Sequence, residues 1–207
     1  LMAMQGRFGD ARARFDEQRS VSEELGSAQL LGSLLSHHAG PAELLAGDPA
    51  RAAELGRAGY EILTALGDRG FASTGAVHVA RALLELGSYD EAEEWARTGQ
   101  GMTSEDDFAT QGPARGVLAR VLAHRGDFEA AESLAQEAVV IMDKTDMLTQ
   151  VADAHADLAE VLLAAGKADD AAAEFHGALE LYERKGHLVG AGKMRAKLAE
   201  LAGATPA

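Results

Sequence analysis

The chain contains no cysteine among its 207 residues, which excludes disulfides, thiolate catalysis and cysteine-based zinc sites together. Aromatic residues make up only 5% of it, and a sheet would want more of them, with more Val, Ile and Thr. Positive charge is scarce. Nineteen Lys and Arg against 33 Asp and Glu leave a formal net charge of −14 and a pI near 4.8. That balance argues against nucleic acid, whose phosphates call for clustered Lys and Arg, and against docking on an anionic membrane. No run of about 18 apolar residues suggests a membrane span. No signal peptide precedes the first repeated phrase, so a cytoplasmic protein is expected. What the chain has in quantity is alanine, 43 residues, whose small side chain and high helix propensity favour closely stacked helices.

One phrase recurs five times. It reads Gly6-Arg7-Phe8-Gly9-Asp10-Ala11, Gly47-Asp48-Pro49-Ala50-Arg51-Ala52 and Gly87-Ser88-Tyr89-Asp90-Glu91-Ala92, then Gly126-Asp127-Phe128-Glu129-Ala130-Ala131 and Gly166-Lys167-Ala168-Asp169-Asp170-Ala171. The steps from Gly to Gly are 41, 40, 39 and 40 residues. A fixed period of this size marks a solenoid, in which each unit buries its apolar face against its neighbours. The first copy lacks most of the helix that should precede it, so the chain is expected to be a fragment of a longer protein.

Each phrase predicts the corner of a helical hairpin. In the third copy, Val77, Val79, Ala80, Leu83, Leu84 and Leu86 recur at spacings of three and four, one face of a helix over 73–86. Gly87 supplies the positive φ that ends it, Ser88 stands at the N-cap, Tyr89 is expected in the corner, and Asp90 and Glu91 favour the next helix dipole. That helix is expected to reach Met102. In the fourth copy Asp127 is the cap and Phe128 takes the corner; in the fifth the corner residue is Ala168, so its packing should be looser. Pro49 suits the first turn of its helix. The helix over 27–46 carries Gly40-Pro41 and is expected to kink or break there. A last helix, with Leu188, Met194, Leu198 and Leu201 on one side, caps the array, and residues 203–207 should fray. The expected fold is therefore an all-α, right-handed superhelical solenoid of about five hairpins. Its units are 1–26, 27–67, 68–104, 105–146 and 147–186 of a single repeat domain, with a capping helix over 187–202.

These units resemble tetratricopeptide repeats (TPR). Val79-Ala80, Leu118-Ala119 and Leu158-Ala159 match the Leu-Gly pair of that motif; Gly87/Tyr89/Ala92, Gly126/Phe128/Ala131 and Gly166/Ala171 match its Gly, aromatic and Ala positions. The family's Trp and terminal Pro are poorly kept, and the period exceeds the usual 34. The stretches 42–49, 119–126, 156–162 and 181–186 are similar to the C-terminal repeat region of large bacterial proteins, many actinobacterial. Those proteins join a class III adenylate/guanylate cyclase or a transcription-regulator domain to an AAA-type or STAND-type ATPase. The resemblance implies a regulatory sensor or assembly module, with any catalytic domain elsewhere.

Catalytic constellations are missing. Gly190-Ala191-Gly192-Lys193 lacks the earlier Gly of a phosphate loop, has Met194 where Ser or Thr should hold magnesium, and reads as a helix start. His37 and His38 diverge on a helix, and no His pair stands four apart, so no metal is expected. Glu105-Asp106-Asp107 lacks the pattern of a calcium loop and reads as a cap ahead of Phe108. No enzymatic activity and no cofactor are expected of this chain.

The expected functional surface is the inner wall formed by the first helix of each hairpin. Counting from each Gly, it includes Thr74, Val77, Arg81 and Glu85 in the third unit. Gly116, Arg120 and His124 follow in the fourth, and Asp153, Ala156 and Glu160 in the fifth. Arg81 and Arg120 share a repeat position and could clamp a carboxylate or phosphate; alternatively each pairs with a neighbouring acid such as Glu85 or Glu160. Three functions follow. The favoured one is a scaffold holding a protein, a peptide or another domain of the parent chain. The second is a small-molecule sensor with a metabolite in the groove. The third is a homodimer through exposed Leu1, Met2, Met4 and Phe8.

Overall fold

The computed structural model describes residues 1–204, and every regular element among them is helical. After a 3-10 turn at Ala3–Gln5 come α1 (Phe8–Glu24), α2 (Ala28–Ser33), a π-helical segment (Leu34–Ala39) and α3 (Gly40–Leu45). Then follow α4 (Pro49–Ala65), α5 (Arg69–Glu85), α6 (Tyr89–Met102) and α7 (Phe108–His124). The chain continues as α8 (Phe128–Met142), α9 (Leu148–Ala164), α10 (Ala168–Lys185) and α11 (Leu188–Ala204). The architecture is an all-α helical solenoid. Two compact units divide it, 1–110 and 111–204, with the boundary in the first turn of α7. Of the tail expected to fray, Gly203 and Ala204 are helical, and 205–207 lie outside the described residues. Among the described residues no helix is long and apolar enough to cross a membrane.

The repeat is finer than the phrase suggests. Gly with positive φ stands at 6, 26, 47, 67, 87, 126, 166 and 186, so most helices end the same way at steps of about 20 residues, half the phrase period. Each such Gly is followed by one bond pattern: the next residue's N–H reaches back five residues, as Ser27 to Ser22 (2.9 Å), Asp68 to Leu63 (3.0 Å), Ser88 to Leu83 (2.9 Å) and Asp127 to Leu122 (3.1 Å). This is the Schellman closure, and only Gly takes its left-handed residue without strain. The following residue opens the next helix. Asp48, Asp68 and Asp127 accept from Arg51, Phe71 and Ala130 N–H, and Ser27 accepts from Leu30. Ser88 holds the N-cap position, but its side chain makes no cap bond. Asp107 caps α7 through the Thr110 N–H, as the acidic run implied.

Where a kink or break was expected, the helix over 28–45 stays continuous but widens locally. Gly40 and its neighbours keep right-handed helical angles, and the Gly40 N–H bonds to Leu35 O, a π-type step. Pro41 brings no N–H and its ring crowds the carbonyl four residues back, so the turn before it widens. The step from Gly26 to Gly47 is 21 residues, one more than its neighbours, and the π segment takes up that residue.

Three further expectations are corrected. Phe128 remains 39% exposed, because a three-residue corner leaves it outside the helix contact. Leu188 is 61% exposed; the buried stripe of α11 and its lead-in runs instead through His187, Gly190, Ala191 and Met194 to the partly buried Leu198 and Leu201. Only Leu1 of the supposed N-terminal patch is exposed. Met2 and Phe8 pack against Ala3, Ala11 and Ala42, and Met4 is half-buried.

Candidate functional site

In the first unit, glycines bring the helices into backbone contact, and small polar groups fill what remains. A Cβ on Gly59 of α4 would lie 2.6 Å from both Gly32 O and Ser36 N. Ser36, fully buried, donates its hydroxyl to Gly32 O (2.9 Å), so its oxygen accepts from His37 Nδ1 (2.7 Å). His78 Nδ1 donates to Ser36 O (2.9 Å). The His37 and His78 rings meet edge-on at 5.4 Å, and His37 meets Phe71 at 5.3 Å. Burial pushes both imidazoles down to about 4, and the charges of His78 and His38 add to the effect on His37. Near neutral pH the pair is uncharged.

Of the residues assigned to the inner wall, Thr74 belongs to a hydroxyl network. Its Oγ1 lies 3.0 Å from Thr110 Oγ1, which also meets Ser73 Oγ (3.2 Å) and donates to Asp107 Oδ2 (3.2 Å). The network fastens the start of α7 to α5. Val77 does not line a surface: it is 1% exposed and packs where α6 comes close at Gly99. It falls on the core side because the apolar stripe of α5 is wider than one face. Arg81 is half-buried and engaged, and Glu85 is exposed.

In the second unit, Arg120 pairs with Asp157 at 3.6 Å, whose carboxylate is almost fully buried. Gly116 is buried beside it, and a Cβ there would run into that carboxylate. Glu160, proposed as a partner for arginine, pairs with Lys197 at 2.9 Å instead. Asp153 accepts from the Tyr182 hydroxyl, Ala156 is half-buried and His124 is exposed. Arg120 is therefore already neutralised within its own unit, which favours the ion-pair alternative over a ligand clamp at that residue. His187 Nδ1 accepts from the Gly190 N–H (2.9 Å) and so caps α11 unprotonated, and burial holds its pKa below the usual value. The Gly190 to Lys193 run is the first turn of that helix.

The sequence reading missed Asp157 and a cleft of about 400 Å³ in the first unit. Phe15, Leu34, Leu35 and Leu55 form its apolar lining, with Arg12, Arg19 and Arg51 among its polar groups. Arg12 forks onto Glu43 (2.8 and 2.5 Å), and Arg51 pairs with Glu54 (2.6 Å). Two signals were present: Gly116 inside a helix with no turn to serve, and Arg12, Phe15, Asp16 and Arg19 at helical spacing.

Stacked helical hairpins with a Gly-closed corner define a TPR-like repeat protein, and residues 77–98 match the model of the tetratricopeptide repeat. Residues 93–206, more than half of the sequence, match the model of the soluble NSF attachment protein, SNAP. The chain belongs to that family. Two solved structures share the fold. One is BtubC (BKLC) from P. vanneervenii, with TM-score 0.59 and 16% identity over 99% of this chain and 94% of that one. The other is a thermophilic TPR protein of Thermus thermophilus, with TM-score 0.62 and 20% identity over 95% and 91%. No curated protein matches the chain in sequence.

Proposed function

We propose that this chain is a non-catalytic scaffold that holds a protein or peptide, or another domain of its own parent, on the first helices of its hairpins. The observation that carries the reading is the match of 93–206 to a family named for attachment, laid on a TPR-like array. The finer reading is the cytoplasmic regulatory module of a bacterial cyclase, ATPase or transcription regulator. It rests on the similarity of 42–49, 119–126, 156–162 and 181–186 to such proteins.

Arg120→Glu is a poor probe, because it would strand the buried Asp157 carboxylate. The exposed Glu85 and His124 serve better. A photo-crosslinking amino acid at either position, in the full-length protein in its own cells, should capture one defined protein or domain. The same group at exposed Arg184 of α10 should not. Equal capture at all three positions would refute the assignment of the first-helix face.

The cleft in the first unit favours a second reading, a sensor for a small anionic metabolite with an apolar body, held by Arg19 over the leucine lining. A ligand bound only by the folded state raises apparent stability. A metabolite screen should then find a thermal shift in the wild type that Arg19→Ala abolishes. A screen with no shift overturns this reading and leaves the scaffold untouched.

A further inference from the structure

Two connections of the first unit, with the Gly47 corner between them in the chain, carry the same exposed apolar pair. Between α1 and α2 the chain reads Leu25-Gly26-Ser27-Ala28-Gln29-Leu30, and between α4 and α5 it reads Leu66-Gly67-Asp68-Arg69-Gly70-Phe71. Leu25 is 68% exposed, Leu30 51%, Leu66 52% and Phe71 47%. The two connections abut, since Gln29 Nε2 donates to Asp68 Oδ2 at 3.0 Å. Beneath them α2 is seated against the end of α4, where a Cβ on Gly32 would lie 2.9 Å from Leu63 Cγ. The four side chains thus share one edge. Their exposed area is of the order of 400 Å², the size of the largest, often functional, patches on monomeric proteins.

The side chains around this edge are predominantly acidic. The C-termini of α1 and α4 stand there with no basic residue in their last turns, and the N-termini of α2 and α5 stand beside them, so the helix dipoles offset and the side-chain charges decide. Glu23, Glu24 and Glu61 are exposed in those last turns or one turn before. Arg69, the cation of these connections, donates to Met102 O (3.2 Å) and so ties in a third connection, where Glu105 and Asp106 are exposed. The corresponding edge of the second unit differs. Its connection at 143–148 carries Lys144 and leaves Met147 and Leu148 half-buried, and its last one carries Arg184 and Lys185.

We propose that the 25–30 and 66–71 edge docks a cationic amphipathic helix of a partner protein. Apolar residues on one side of that helix would cover Leu25, Leu30, Leu66 and Phe71, while its Lys or Arg residues face the carboxylates. An apolar stripe flanked by negative potential is complementary to that pattern and repels anionic lipid. The edge lies at the connections, whereas the scaffold reading is tested at Glu85 and His124, so the failure of one is distinguishable from the failure of the other.

The test titrates a fluorescein-labelled Lys/Leu amphipathic helix of about 18 residues into the whole chain and follows anisotropy and amide exchange. A Lys/Ser peptide of equal charge and phosphatidylcholine vesicles, with and without phosphatidylserine, run in parallel. The expected result is saturable Lys/Leu binding with protection confined to 21–30 and 61–71. Leu25→Ser with Leu66→Ser should weaken it about tenfold, as loss of central contacts does. Leu86→Ser, at an exposed leucine of another corner, should leave it unchanged, and circular dichroism confirms that the variants fold. Any of four outcomes overturns the proposal: equal binding of the Lys/Ser peptide, protection elsewhere, variant affinity within about twofold of wild type, or vesicles bound in preference to the peptide.

Discussion

The two units differ in how they use interior glycines. In the first unit three admit backbone, Gly59 against Gly32 and Ser36, Gly99 against Ser73 O and Gly40 against Ala52 O and Leu35 O, while Gly32 and Gly56 receive the Leu63 and Val79 side chains. In the second they receive one side chain each: Gly112 takes Met142, Gly116 takes the Asp157 carboxylate and Gly190 takes the Tyr182 ring. The first unit accordingly stacks small groups and neutral imidazoles, and the second closes around Phe175, Met142 and Tyr182. The same hairpin therefore reaches a dense interior by two routes. Only the second route leaves a neighbour that can move when the glycine changes.

The largest effect should come from the densest point of the side-chain route. Phe175 is fully buried, so Phe175→Ala should cost about 4 kcal/mol in urea denaturation followed by circular dichroism. Leu63→Ala, at the fully buried leucine of the first unit, should cost about 3 kcal/mol. A smaller loss at Phe175 than at Leu63 would erase the contrast.

The glycines supply the sharper comparison. Gly59→Ala should destabilise by about 3 kcal/mol, because the atoms at 2.6 Å are backbone and cannot step aside. Gly190→Ala should cost about 1 kcal/mol, since the Tyr182 ring at 2.8 Å can tilt and alanine suits a helix better. Equal costs would show that the two routes are mechanically alike.

The neutral imidazoles make the first unit acid-sensitive. His37 and His78 titrate near 4 when folded, against an ordinary value of 6.5. Between those values the unfolded chain binds protons that the folded chain refuses, so stability rises with pH. Their contribution is complete above about pH 6.5 and is lost as pH falls towards 4. Trp95, the sole tryptophan, lies in this unit against Tyr60 and reports on it. Its fluorescence melt should drop through that window in the wild type and flatten in His37→Gln with His78→Gln. An unchanged slope in the double variant would assign the acid sensitivity to carboxylates.

The smallest effects lie at the corners. Asp127 caps α8 with its side chain and Ser88 does not cap α6. Asp127→Ala should cost about 1 kcal/mol, and Ser88→Ala should fall within about 0.5 kcal/mol of zero. A similar loss at both would mean that the cap position matters more than the bond.

The array was legible in the sequence because its punctuation is local. A Gly with positive φ, a capping Asp and a helical apolar period are each written in a few consecutive residues. The 20-residue step is also present in the sequence, in Leu25-Gly26, Leu66-Gly67 and Lys185-Gly186, but the aromatic and Ala of the longer phrase mark only every second corner. The inner wall was legible in outline only. Val77, Leu188 and Phe128 were misplaced because each lies at the margin of an apolar stripe, where a rotation of a few tens of degrees decides between core and water. Asp157 was invisible because its partner comes from another helix and its burial depends on a Gly some 40 residues earlier.

The π segment ahead of Pro41 has a consequence for how such arrays change over generations. It confines one surplus residue to a single widened turn, and the corner at Gly47 follows in register with those after it. An insertion in one repeat is thereby absorbed where it happens. A chain assembled by duplication carries its copying errors as local scars and keeps the rest of the array intact.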